Sequence, residues 1–579
     1  MDPKTLFGLT IIPAGFLAGI IAACISKRIR DLFFVMLVTL SPLIERLDLN
    51  YVSREWYRGT SRGFEISVLD ILALSLLVSS ILVPRRGESR FYWPASLGFM
   101  LLFFLYVCFN VSISDPKLFG LFELFRMVRG FILVLAVAFY LRSEREVRLF
   151  VFSLATIIGY EGLLALKERY LMGVHRVPGT VDESNSLSVL LVTITPVMVT
   201  AITSRLPKLL KLVCILVIPL ALVAEILTNS RAGVTIMALL LFCAAVATIS
   251  FQITARKAIL SVVVCLGVIG LIAKSWKTLG ERFHESTLAQ EYGNKKNLGR
   301  GYYIRIAKAI SKVEFFGVGL NNWSYWVSNK YGPKQGYRFV PYRGPDHEPS
   351  NKIPSDSNVD EAQAAPAHNL GALTLGELGI PGLVLFTVVW LRWFQMGGSF
   401  LLRRDPDPMR RIGVGLFFGF CGMFLQCLTE WVFRHLPLYY VFHVMLGVLM
   451  SLYYVKRQAN KAERAQLKWS RAAEFSTEVF VDSPVGSSVH QQFDLHPNFQ
   501  PVALPESEAR NPKQSPGANQ RCSKLARPAV FESLRFGIGA GFGFRVSGAA
   551  ESWRDAVNRR PEFLCLLRRR LACIPETCA

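Results

Sequence analysis

Apolar runs long enough to cross a bilayer recur through the first 455 residues, and no other feature of the chain constrains its fold more. Inside hydrocarbon every backbone N–H and C=O must find its partner within the protein, which leaves helices or closed barrels. Runs of about 18 residues or more are helix length, not strand length. The expected fold is therefore all-α and polytopic, with 12 or 13 transmembrane helices. Only 18% of the 579 residues are charged while 52% are hydrophobic, a balance that does not suit several soluble domains. Spans are expected near 6–26, 31–45, 66–83, 92–113, 119–141, 149–167, 187–204, 209–228, 233–251, 258–275, 369–395, 412–433 and 438–455. The first lacks a basic n-region and a small-residue cleavage site, so it reads as a span and not a cleaved signal.

Charge orients the spans. A net charge of +23 raises nucleic acid as a partner, but the basic residues gather in alternate loops. These are "SKRIRD" (26–31), "PRRGESR" (84–90), "RSEREVR" (142–148), "SRLPKLLK" (204–211), "TARK" (254–257), "RRDPDPMRR" (403–411) and "KRQANK" (456–461). Lys and Arg accumulate in cytoplasmic loops of membrane proteins, so this side is expected to be cytoplasmic and no nucleic acid is expected. Thirteen spans put the N-terminus outside and the C-terminus inside. If the short second span does not cross, the count is 12 and the N-terminus is cytoplasmic. None of the 11 cysteines falls in the expected outer loops, so no external disulfide framework is indicated. No spacing suggests a metal site, and no cofactor is expected.

The chain divides accordingly into N-terminal spans (1–275), a large external loop (276–367), C-terminal spans (368–455) and a polar cytoplasmic tail (456–579) expected to be largely disordered. Within the loop, 299–323 reads as an amphipathic helix. Ile304, Ala307, Ile310, Ile306, Ala309 and Val313 form one broad apolar side, and Arg305, Lys308 and Lys312 the other. Such a helix suits the outer membrane boundary. The stretch 332–367, rich in Gly, Pro, Ser, Asp and Asn, reads as loop.

Ionisable residues inside spans are costly and so informative. Asp70, Arg126, Arg129, Glu161, Glu225 and Glu430 all fall in the outer third of their expected spans. Arg231 and His435 lie in short outer turns, and His368 stands at the outer entrance of its span. For any one of these, a boundary ion pair is as good a reading as a functional one. As a set they favour an outward-facing active site. A transporter instead needs polar groups near mid-depth, reachable from both sides.

Four external pieces carry the chemistry. They are Arg176-Val-Pro-Gly179-Thr180 with Asn185 just beyond it; Ser230-Arg231-Ala232-Gly233; Arg300 opening a helix that leads to Gly317-Val-Gly319; and His368-Asn369 followed by Glu377-Leu-Gly379-Ile-Pro-Gly382. A lone arginine at a membrane boundary is most often an anchor, and a lone histidine at a helix start a cap. In this order and topology, the four resemble the O-antigen ligase / O-antigen polymerase family of bacterial membrane glycosyltransferases. The resemblance covers roughly residues 1–455 and is strongest over 175–390. The chain departs from the pattern at Ile304, where members often carry Trp, and at Glu314, where a Pro is usual. Arg300 and Arg305 both compete for the loop arginine, and the distance to Gly317 favours Arg300.

The resemblance implies a GT-C-like helical fold and an inverting, metal-independent transfer. The glycan would move from an undecaprenyl-diphosphate carrier to a glycolipid, glycan or protein hydroxyl at the outer face of the inner membrane. Arginine suits a diphosphate leaving group, since it stays charged and binds phosphate oxygens as a fork. Histidine suits the acceptor proton. His368, Arg231 and Arg300 are therefore the candidate catalytic residues. Arg176, Asn185, Arg305, Asn369 and Glu377 are candidate substrate-binding residues. On an ideal helix Glu377 lies half a turn round from His368, so a helix–helix hydrogen bond is preferred for it over a direct dyad. A repeat-unit polymerase is the neighbouring reading, and a transporter of an anion or lipid-linked sugar is the reading from a different class.

Overall fold

The computed structural model describes residues 3–84, 91–248, 300–347, 363–402 and 406–481. The expected span at 258–275, most of the loop over 276–299, the segment 348–362 and the tail beyond 481 lie outside the described residues. Contacts group Met1–Pro484 as one unit, to which everything below belongs.

The fold is all-α and polytopic. Its helices are α1 (Pro3–Ile25), α2 (Lys27–Thr39), α3 (Ile44–Leu47), α4 (Val68–Leu82), α5 (Leu97–Ile113), α6 (Lys117–Tyr140), α7 (Glu144–Tyr170), α8 (Ser184–Ile202), α9 (Lys208–Leu227), α10 (Arg231–Thr248), α11 (Gly301–Ser311), α12 (Leu370–Gly398), α13 (Pro408–Cys427) and α14 (Leu436–Val481). Among the described residues, seven helices are long and apolar enough to cross a membrane by themselves: α7, α8, α9, α10, α12, α13 and α14. The loop expected at 46–65 adds a small antiparallel hairpin, β1 (Asp48–Tyr51) with β2 (Phe64–Ser67).

At the centre lies α8, buried along nearly its whole length and packed against α9, α10 and α13. Its Thr-rich sequence is tolerated there because Thr193 and Thr195 donate to the carbonyls of Val189 and Leu191, at 2.7 and 2.6 Å. The second expected span forms in two pieces. With 13 residues, α2 is about 20 Å long, short of a hydrocarbon core of about 30 Å. The chain then passes through a 3₁₀ turn, Ser41–Leu43, that contains Pro42, and reaches α3. One end lies by Val83 and Arg145, through Arg30 and Asp31. The other lies by Asp182, where Arg46 is 3.4 Å away.

Among the described residues, parts of several basic loops meet at one end of the bundle. There Tyr140 donates to Asp31 at 2.5 Å, Arg142 stacks over Tyr92 and Tyr454, the Arg205 N–H donates to the Pro406 carbonyl, and Lys456 reaches Ser399. At the opposite end, several charges foreseen in the outer thirds of spans prove to be brackets between elements. Arg129 pairs with Asp70 at 2.9 Å, and Arg126 donates to the carbonyls of Arg434 and Thr60 at 2.6 and 2.5 Å. Both arginines are buried, and each has its charge met by a carboxylate or by carbonyls, as charges at membrane depth need.

One long helix of this bundle is broken. In α12, Gly379 has φ 66° and ψ −168°, so Leu370–Leu378 and Ile380–Gly398 are two half-helices. The cause lies in the sequence. Pro381 has no N–H to give the Glu377 carbonyl, which instead accepts from the Gly319 N–H at 2.9 Å. The Gly376 carbonyl accepts from Val318 at 3.0 Å, and Tyr106 donates to the Leu378 carbonyl at 2.5 Å. The Phe315 carbonyl takes the Ile380 N–H at 3.2 Å. Thus the loop segment 315–319 replaces the missing helical bonds, backbone against backbone. A Cβ on Gly379 would collide with the Phe315 carbonyl, and one on Gly317 with the Glu377 carbonyl.

The amphipathic segment forms a helix only over Gly301–Ser311. Its Ile306, Ala307 and Ile310 pack into a cluster with Trp323, Ala367 and Leu373. Val313, Phe315 and Phe316 are exposed beyond it. The apolar side is thus shared between protein and surroundings, because α12 offers a closer partner than the membrane boundary. At the C-terminal end, α14 runs past the expected boundary of 455 to Val481. The added turns are rich in Ala, Lys, Arg, Glu and Gln, strong helix formers that need no buried face.

Candidate active site

His368 stands just before α12. Its neighbour Asn369 is the helix N-cap, accepting from the Ala372 N–H at 2.8 Å. Asn369 also donates to the Leu428 carbonyl at 2.6 Å, which ties the start of α12 to the end of α13. That clamp brings His368 against Glu430. The imidazole Nδ1 lies 2.7 Å from Oε2 of the acid. On the other carboxylate oxygen, Arg300 places Nη2 at 2.6 Å and Asn185 donates at 3.0 Å. Asn185 in turn accepts from Arg176 Nη2 at 2.9 Å. The Glu430 side chain is 5% exposed, that of Arg300 25% and that of His368 39%. A buried acid therefore underlies a partly open guanidinium and a partly open imidazole.

The Arg176 loop is shaped from below. Gly179 adopts φ +62° and its N–H donates to Glu168 at 3.1 Å. The Thr180 N–H donates to Glu161 at 3.1 Å, and the Thr180 hydroxyl donates to the same carboxylate. This accounts for the Gly-Thr pair and for Glu161, seen in the sequence only as an ionisable residue within a span. The same loop lies along the turn that leads to Arg231: the Val177 N–H donates to the Leu227 carbonyl at 3.3 Å, and Arg176 Nε to the Thr228 carbonyl at 3.4 Å. Asn229, at φ 54°, donates to the His175 carbonyl at 3.3 Å before Arg231 opens α10.

Of the residues singled out from the sequence, direct contacts thus link His368, Arg300, Asn185 and Arg176 through Glu430, while Arg231 opens α10 directly after the turn that Arg176 touches at Thr228. Asn369 acts through the backbone. Arg305 points to the Tyr337 hydroxyl at 3.4 Å, while Arg300 is the loop arginine that reaches Glu430. Glu377 is 1% exposed, ion-paired with Arg434, and takes the Trp323 N–H at 3.3 Å. It binds the first half of α12 to the loop and to the turn before α14, a partnership between elements and not with His368. The residue that sequence reasoning passed over as a site member is Glu430. Its depth and its charge were visible. What could not be read was that three remote segments converge on it.

Chemically, the arrangement offers guanidiniums from separate segments around one imidazole at one end of a helical bundle. That suits binding a polyanion beside a proton acceptor, and it defines the class as a multi-pass helical membrane protein with a one-sided polar site. Residues 212–387 match the family model for O-antigen ligase. The match includes Arg231, Arg300, His368 and Glu377, and excludes Arg176, Asn185 and Glu430. Among curated proteins, no sequence matches the chain.

Proposed function

We propose that the chain is a membrane glycosyltransferase that moves a glycan from an undecaprenyl-diphosphate carrier to a hydroxyl acceptor, with its site on the periplasmic face of the inner membrane. The observation that carries this is the junction of His368, Arg300 and Asn185 on one buried carboxylate, with Arg176 bound to Asn185 at its border. Arg231 and Arg300, with Arg176 alongside, bind the diphosphate and stabilise the charge that develops on it as it leaves. His368 accepts the proton of the attacking hydroxyl. In a single displacement the acceptor oxygen replaces the diphosphate on the anomeric carbon, and the configuration inverts. The acceptor is a lipid A core or similar glycolipid.

Purified protein, given an undecaprenyl-diphosphate oligosaccharide and an acceptor, tests the reading. Arg231→Ala, Arg300→Ala and His368→Ala are each expected to lower kcat/KM by about 10²-fold or more. Undiminished transfer in all three would sink the enzymatic reading. Offering lipid A core, glycan repeat and peptide side by side separates ligase, polymerase and protein glycosylation. A transporter would show donor flux across vesicles that survives these substitutions.

A further inference from the structure

We propose that Glu430 is a positioning residue that fixes the tautomer of His368 and holds Arg300 beside it. This rests on the reading of His368 as the proton acceptor. A carboxylate only accepts hydrogen bonds, so the 2.7 Å contact puts the hydrogen on Nδ1. A neutral imidazole carries one N–H, which leaves the Nε2 lone pair as the base. The imidazole is open enough, at 39% exposed, for a hydroxyl to approach that edge.

The acid is built to stay in place. Its N–H donates to the Gln426 carbonyl at 2.9 Å, and its Oε1 is occupied by Arg300 and Asn185. A buried carboxylate without such donors would be costly. With them, it orients three residues drawn from the loop arginine, the start of α8 and the approach to α12. Glu430 lies outside the residues matched by the family model, so its role comes from the geometry alone.

In the transfer step, the acceptor O–H proton passes to His368 Nε2 and the oxygen electron pair bonds the anomeric carbon. The carbon–oxygen bond to the diphosphate breaks, and its electron pair leaves with the phosphate oxygen towards the arginines. The imidazolium so formed keeps its Nδ1–H hydrogen-bonded to Glu430, whose negative charge stabilises it, and holds the acceptor's proton on Nε2. Arg300, tied to the same carboxylate, keeps a fixed distance between leaving group and base.

Two measurements decide this. Nitrogen NMR of protein labelled at histidine, with the His368 signal assigned from the spectrum of His368→Gln, is expected to show the proton on Nδ1 in the wild type. In Glu430→Gln the population should shift towards Nε2–H. A wild-type proton on Nε2, or no change in Glu430→Gln, overturns the proposal. In the transfer assay, Glu430→Gln is expected to lower kcat by about 10²-fold, with donor KM changed less than about threefold and the melting temperature nearly unchanged. Loss of activity only in proportion to lost folded protein overturns it. If wild-type protein transfers nothing from the carrier, the proposed function fails while the tautomer measurement still judges Glu430.

Discussion

His368 and His435 stand at the same end of the bundle in contrasting surroundings. The first is partly open beside a carboxylate. The second, 3.4 Å from Glu45, has a side chain only 13% exposed. Burial, then the charges of Arg126 and Arg62, push its imidazole down to about 4. The folded protein therefore disfavours the protonated form more than the unfolded chain does. Stability from this group is complete above about pH 6.5 and is lost as pH falls towards 4. Thermal unfolding in detergent should show His435→Gln with a flatter pH dependence across that window, by an amount on the order of 1–3 kcal/mol. An unchanged slope would contradict the assignment. The sequence shows a histidine at the outer boundary of a span in both cases. Only the neighbours brought in by folding distinguish a candidate base from a buried spacer.

At the scale of elements, the two glycine motifs prove to be one structure. Pro381 and the glycines around it are the local signs of a kink and of a close approach. That the approaching partner is Gly317-Val-Gly319, about sixty residues earlier, is not legible, because nothing local records which backbone supplies the missing hydrogen bonds. At φ 66° and ψ −168°, Gly379 occupies a region essentially restricted to glycine. Gly379→Ala should therefore destabilise the protein by about 3 kcal/mol or more and abolish transfer, since the first half-helix carries His368. Gly398, whose added Cβ meets Phe417 at an ordinary 3.7 Å, is the control: Gly398→Ala should leave the melting temperature unchanged or raise it slightly. Equal losses from both would refute the docking account.

Across the whole molecule, polarity separates by end. Arg148 at the start of α7 lies with the basic loops, while Asp346 joins Arg54, in the loop between β1 and β2, at 2.9 Å. Cysteines placed at these positions should react with an impermeant reagent from opposite sides of sealed vesicles, Asp346→Cys from the periplasmic side. Labelling from one side alone would overturn the orientation. Every group of the candidate site lies within Met1–Pro484. A chain ended after residue 484 should therefore keep its melting temperature and its transfer rate within about twofold, since those contacts are retained.

The sequence alone determined the all-α membrane class and the basic face, because bilayer thickness and the cost of unpaired backbone act on the composition of each run separately. It also marked Arg176, Arg231, Arg300 and His368, residue types whose charge or proton chemistry is rare at a membrane boundary. Tertiary structure decided the rest. It chose Arg300 over Arg305 as the arginine that reaches Glu430, gave Glu377 to Arg434, and turned Glu161 into the cradle of a loop. It made Glu430 the meeting point of three distant segments. Those outcomes depend on distances between residues far apart in the chain, and only packing fixes such distances.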